Sequence, residues 1–121
     1  MDTAELLDEL ARRGAAGDAA GLRELCSPDL RFTQNIGTDG GVDDLVAMVE
    51  TLNGLGVSVA YSNVRRTYTE GGATEQHLVT LTRPDGVTVS TDVCLVVRVA
   101  DGQITEADEY LDGSALAAVF A

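Results

Sequence analysis

Hydrophobic periodicity changes once along this chain, at Gly56, and that change confines the fold to helices followed by strands. Upstream, apolar residues recur every three to four positions, the spacing of one helical face. Asp2 and Glu5 have the spacing of a capping box, and Leu6, Leu7 and Leu10 follow as a one-sided stripe. Gly14 and Gly17 loosen that helix end. Asp18 is placed to cap a second helix carrying Leu22, Leu25 and Cys26, and Pro28 stops it. A short strand is predicted over 29–35, with Leu30 and Phe32, then a loop rich in Gly and Asp from Gly37 to Gly41. Val42, Leu45, Val46, Val49 and Leu52 predict a third helix ending near Asn53-Gly54.

Beyond Gly56 the period is two. Glu70-Gly71-Gly72, Pro84-Asp85-Gly86 and Asp101-Gly102 are evenly spaced turn signals, separating strands predicted at Val57–Thr69, Ala73–Arg83, Val87–Val99 and Ile104–Leu111. Short turns between sequential strands make an antiparallel meander. Ser114 is placed to cap a last helix through Ala115–Phe120. The predicted class is α+β, a curved antiparallel sheet wrapped by N-terminal helices. With 121 residues, 45% of them hydrophobic, one domain over 1–121 has a sufficient core.

Several function classes are excluded or disfavoured by what is missing. There is no lysine, so a Schiff base, covalent pyridoxal phosphate or a P-loop is ruled out. A net charge of −12 opposes nucleic-acid binding, which needs clustered positive charge. His77 is the one histidine, and Cys26 and Cys94 are far apart, so no metal site is signalled and no cofactor is expected. Both thiols read as buried and free. Asp39, Asp43 and Asp44 lack the spacing of a calcium loop; capping by Asp39 and charge at a helix start account for them. The acidic start Met1-Asp2-Thr3-Ala4-Glu5 does not resemble a signal peptide, and no apolar run approaches the ~20 residues of a membrane span. A cytoplasmic protein is expected.

The third long strand sets the facing. Val87, Val89, Thr91, Val93, Leu95, Val97 and Val99 alternate onto one face, predicted to be concave and buried. A two-residue loop at Asp101-Gly102 would send Glu109 to the opposite, Cys94 face; a three-residue loop beginning at Ala100 would bring it inward opposite Val93. The three-residue loop is preferred because it buries Leu111 while leaving Glu106, Asp108 and Asp112 outside. A loop of two or four residues at Pro84-Asp85-Gly86 sets Gln76 opposite Val93 as well, giving a row of Gln76, Val93 and Glu109. By the same alternation His77, Tyr110 and Asp92 face outward. Val79, Leu81, Cys94 and Val96 make that outer face too apolar for full exposure, so a homodimer through it is expected.

Four segments then carry a resemblance: Thr74-Glu75-Gln76-His77, Pro84-Asp85-Gly86, Val99-Ala100-Asp101-Gly102-Gln103-Ile104 and Asp108-Glu109-Tyr110-Leu111-Asp112. In order and spacing the chain resembles the SnoaL-like proteins of the nuclear transport factor 2 superfamily, from its helical start to Gly113-Ser114. That superfamily includes ketosteroid isomerases, polyketide cyclases and limonene epoxide hydrolases. The resemblance implies a cone-shaped barrel with a deep pocket, frequently in a homodimer. Against the epoxide hydrolases' Asp-Arg-Asp set, Gln76 stands at the arginine, Leu78 at the first aspartate and Glu109 at the second. Asn35 matches the Asn that holds the attacking water, and its Tyr partner falls on Thr33 or Phe32. Glu109 also matches the catalytic acid of the cyclases.

The expected site therefore has Glu109, Gln76 and Asn35 as its chemistry, walled by Phe32, Thr33, Leu78, Thr80, Thr91, Val93, Leu95, Leu111 and Leu116. A carboxyl among such neighbours is held toward its neutral form and can move a proton. The expected function is acid/base catalysis on a small apolar metabolite, by isomerisation, polyketide-type cyclisation or epoxide opening. The rival readings are a non-catalytic module binding a hydrophobic ligand or a protein, and a structural dimer with a filled cavity.

Overall fold

Each helix forms where its cap and stripe fall, in a computed structural model that describes residues 1–121. Helix α1 (Thr3–Ala15) starts behind Asp2, whose carboxylate accepts the Glu5 N–H while Glu5 accepts the Asp2 N–H. Helix α2 (Ala19–Leu25) is capped by Asp18. It ends three residues before Pro28, which lies inside strand β1 (Cys26–Gln34). Asp39 belongs to a two-residue strand, β2 (Asp39–Gly40), and does not cap α3 (Val42–Gly54). Asp44 instead accepts the Gly41 N–H, and Asp43 pairs with Arg23. The last helix, α4 (Gly113–Val119), is capped by Asp112 rather than Ser114, because Asp112 accepts both the N–H and the hydroxyl of Ser114.

Strands β3 (Ser58–Thr69), β4 (Gly72–Thr82), β5 (Thr88–Ala100) and β6 (Gln103–Tyr110) form the meander. One curved, unclosed sheet results, in the order β2-β1-β6-β5-β4-β3, antiparallel except where β1 runs parallel to β6. Its inner face packs against α1, α2 and α3 through Leu6, Leu7, Leu25, Phe32, Leu95, Val97 and Ile104. At the other end Val57, Leu81 and Val119 make a second apolar layer with α4. No helix is long and apolar enough to cross a membrane.

The two hairpins invert the expected loop lengths. Arg83 donates its N–H to the Val87 carbonyl, so three residues, Pro84, Asp85 and Gly86, turn the chain, with Gly86 left-handed at φ 91°. An odd loop shifts the pairing by one: His77 lies opposite Val93, and Gln76 opposite Cys94. A one-residue shift sends every side chain to the other face. Gln76 is therefore exposed on the outer face and His77 is buried on the inner one. Val79 and Leu81 likewise face inward, not outward; Leu78, Cys94 and Val96 sit on the outer face with the exposed Asp92 and Tyr110.

At the last hairpin Asp101 and Gly102 are both left-handed (φ 54° and 73°) and form a two-residue loop pairing Ala100 with Gln103. Unmodified, that register would turn Glu109 outward. A bulge reverses it: Val99 pairs with Ile104 but Arg98 with Glu106, leaving Thr105 extra. Ile104 and Glu109, five residues apart, consequently both face inward. Glu109 lies opposite Leu95 rather than Val93. A second bulge interrupts β3, where Asn63 and Val64 together oppose His77, with Asn63 left-handed at φ 54°. Asn tolerates that conformation better than most residues. Tyr61 and Arg66, also five apart, thereby share the inner face.

Candidate functional site

One cross-strand row runs beneath the helices. Arg66 pairs with Glu75, Glu75 with Leu95, Leu95 with Glu109, and Glu109 with Gln34, through five adjacent strands. The expected row of Gln76, Val93 and Glu109 does not form; Glu109 instead shares its row with Leu95 and Glu75. The backbones of β4 and β6 are two strand spacings apart, roughly 10 Å in a flat sheet. Inward curvature brings their side chains nearer.

These groups face a cavity of about 80 Å³. A water needs roughly 10–15 Å³ by the same measure, so the space holds several water-sized groups. Its lining is mostly apolar: Leu7, Leu10 and Ala11 from α1, Met48 and Val49 from α3, and Phe32, Leu95 and Ile104 from the sheet. Glu75, His77, Tyr61 and Glu109 are the polar side chains among them.

Glu109 and Glu75 are driven in opposite directions by their surroundings. Burial disfavours the Glu109 anion and raises its pKa; the Gln34 hydrogen bond, and His77 whenever its ring is protonated, oppose this without cancelling it. Gln34 donates Nε2–H to Glu109 Oε1 at 2.6 Å, and its own Oε1 accepts from Thr38 Oγ1 at 2.8 Å. Nε2 also lies 3.3 Å from Met48 Sδ, a weak acceptor that cannot donate, which is in keeping with this orientation of the amide. When Glu109 is protonated, Oε1 is occupied as an acceptor, so Oε2 carries the hydrogen.

Burial also works against the Glu75 anion, but hydrogen bonds from His77 and Arg66 outweigh it and lower the pKa. His77 Nδ1 lies 2.6 Å from Glu75 Oε2, and Arg66 Nε donates to Glu75 Oε1 at 2.7 Å. Glu75 and His77 retain only 5% and 7% of their surface. A carboxylate can only accept, so Nδ1 carries the hydrogen and Nε2 is the basic atom of the neutral ring. The Tyr61 ring stands edge-on to this imidazole, with centroids 5.0 Å apart and planes at 83°. Burial, then the Glu109 and Glu75 charges, push the Tyr61 phenol up to about 12, so it remains a hydroxyl.

Among the expected residues, Glu109, Phe32 and Leu95 line the cavity. The others are placed differently. Gln76, Leu78 and Thr80 lie on the outer side of β4, for the loop-length reason given above. Asn35 is exposed, and its amide bridges both the N–H and the carbonyl of Leu111 at 3.0 Å, extending the β1–β6 ladder with a side chain. Leu111 lies beyond the end of β6, in that tie. Thr33 alternates away from Phe32 and hydrogen-bonds Asp108. Thr91 and Val93 are buried on the inner face outside the cavity lining, and Leu116 packs in the distant Val57–Leu81–Val119 layer.

Sequence reading missed Glu75, His77, Gln34 and Tyr61 as inward polar groups. The available signal was Pro84-Asp85-Gly86: Pro suits the first corner of a type I turn and Gly the left-handed third loop residue. Cys26 lines the cavity as an inert thiol, its pKa pushed up to about 11 by burial. No three His, Cys, Asp or Glu side chains converge in an arrangement that could hold a metal ion.

Residues 7–107 match the family model of the SnoaL-like domain. No curated protein sequence matches the chain significantly. Among solved structures, a proposed polyketide cyclase from Xanthomonas campestris pv. campestris superposes with a TM-score of 0.82 at 16% identity, over 98% of this chain and 96% of its own. Another proposed polyketide cyclase, IdmH from Streptomyces antibioticus, gives 0.80 at 16% identity and 99% of both chains. An LEH-like epoxide hydrolase of M. tuberculosis gives 0.78 at 16% identity, over 95% of this chain and 86% of its own.

Proposed function

Because the chain belongs to the SnoaL-like domain family, we propose that it is an acid/base enzyme acting on a small apolar carbonyl compound. The observation that carries this reading is the pair of acidic side chains on one inward row, Glu109 held toward neutrality and Glu75 toward the anion. Titratable groups whose surroundings push their pKa values apart mark an acid and a base. The base is His77 Nε2, oriented through Nδ1 by Glu75. The acid is Glu109 Oε2–H, oriented through Oε1 by Gln34.

In the proposed step His77 Nε2 takes a proton from carbon next to the substrate carbonyl, and Glu109 gives its hydrogen to the carbonyl oxygen. An enol results. Return of the proton to a different carbon is isomerisation; attack of the enol carbon on an internal electrophile is cyclisation. The second outcome is in keeping with the polyketide cyclases proposed among its structural relatives. Epoxide opening by an Asp-Arg-Asp set is not favoured, since Gln76 and Leu78 point away from the cavity and Asn35 is committed to Leu111.

Carbon-proton exchange tests this without the natural substrate. Small apolar ketones are incubated with the protein in deuterium oxide, and incorporation beside the carbonyl is followed by mass spectrometry. The parent is expected to accelerate exchange, and His77→Gln to return it to background. Exchange no faster with the parent than with His77→Gln would reject the reading.

A further inference from the structure

The His77–Glu75 pair does not end at Glu75. Arg66 uses Nε for Glu75 Oε1 at 2.7 Å and a terminal nitrogen for Asp8 Oδ1, also at 2.7 Å. A third, longer contact reaches the Ala4 carbonyl at 3.4 Å. The guanidinium side chain is 15% exposed, whereas Asp8 is 68% exposed on α1. We propose that Arg66 is a positioning residue: through Glu75 it fixes the tautomer and ring orientation of His77, and Asp8 on α1 fixes Arg66 in turn.

The chemistry of the chain requires a fork. Glu75 Oε1 is taken by Arg66 and Oε2 by His77, so each oxygen has one partner and the carboxylate has one setting. An arginine presents several planar donors at once, and serves two carboxylates with one rigid group. The β3 bulge at Asn63-Val64 is what aims Arg66 inward, since an uninterrupted register would turn it out. The other titratable or charged groups facing the His77 site are Tyr61 from β3, Glu109 from β6 and Cys26 from β1; α1 and α3 present apolar lining. Arg66 is thus the one cation packed against the pair.

This assignment rests on reading His77 as the base, but its test needs no substrate, so either can fail alone. Nitrogen NMR of the single histidine reports the tautomer directly, and carbon NMR follows the Glu75 carboxyl. The folded parent is expected to show the Nδ1–H tautomer and a Glu75 carboxyl titrating below the ordinary range. Arg66→Met is expected to lose the Nδ1–H tautomer as the majority form and to raise the Glu75 titration. Arg66→Lys, which keeps the cation, is expected to restore a low Glu75 titration but not the single ring setting. Persistence of the parental tautomer and Glu75 titration in folded Arg66→Met would overturn the assignment. Should that variant not fold, Arg66→Gln, which keeps a donor at the Nε position and removes both the charge and the reach to Asp8, is read by the same two criteria. A parent showing the Nε2–H tautomer overturns it with no variant at all.

Discussion

Glu109→Gln is expected to fold, to gain stability at neutral pH, and to lose proton-transfer activity by roughly 10²–10⁴-fold. The amide keeps the volume and can still accept from Gln34, so the row is undisturbed. What it cannot do is give up a proton to an oxygen and take it back. The stability effect follows from the direction of the Glu109 pKa, which burial raises above the ordinary 4.5. A native state with the higher pKa binds more protons than the unfolded chain between the two values. The favourable contribution is therefore complete below the unfolded pKa and lost as pH rises through the folded one. The neutral amide escapes that loss, so the variant gains on the parent above the folded pKa and has no such advantage near pH 4. Each unit of elevation corresponds to about 1.4 kcal/mol. Denaturant midpoints at pH 4 and pH 7 check it: the difference between variant and parent is expected to grow with pH. A difference independent of pH would mean that Glu109 is solvated in the native state.

Gly72→Ala is expected to cost about 3 kcal/mol or more, a large part of the ~5–15 kcal/mol that holds a domain of this size. A Cβ built on Gly72 falls 2.2 Å from the Val97 carbonyl oxygen and 3.4 Å from the Arg98 Cα. The obstacle is backbone on the neighbouring strand, so no side-chain rotation relieves it. Strands β4 and β5 would have to separate where their ladder begins, at Gly72 opposite Arg98. Three residues on, that same ladder holds Glu75 opposite Leu95. Loss of stability should accordingly come with disorder at Glu75. A urea midpoint equal to the parent's would show that the sheet opens there without strain.

The sequence is more legible in its elements than in their facing. Caps, apolar stripes and Gly-containing turns are local, and each helix and long strand appears within a few residues of its expected place. Facing is a parity, and parity depends on every loop and bulge between two points. Pro84-Asp85-Gly86 is a three-residue loop where an even one was expected, and that one residue moved Gln76 out and Glu75 and His77 in. At Asp101-Gly102 the loop is two residues rather than three, yet Glu109 still faces inward, because Thr105 bulges. The expectation for Glu109 was correct in outcome and wrong in cause. Neither bulge has a strong local signal: Asn63 hints at a left-handed residue, but Thr105 is an ordinary strand former. Asn35 illustrates a different limit. Its side chain substitutes for backbone in the ladder, which only the neighbouring Leu111 reveals.

Two glutamates on one inward row have their pKa values pushed in opposite directions, Glu109 up by burial and Glu75 down by its hydrogen bonds to His77 and Arg66. Carbon-detected NMR titration of the side-chain carboxyls, with Glu109→Gln and Glu75→Gln used for assignment, tests this directly. Glu109 is expected to titrate above the ordinary 4.5 and Glu75 below it, in the same sample and without any ligand. Two carboxyls titrating together near 4.5 would contradict this, leaving the cavity with neither a carboxyl biased toward its acid form nor one whose anion is specially stabilised.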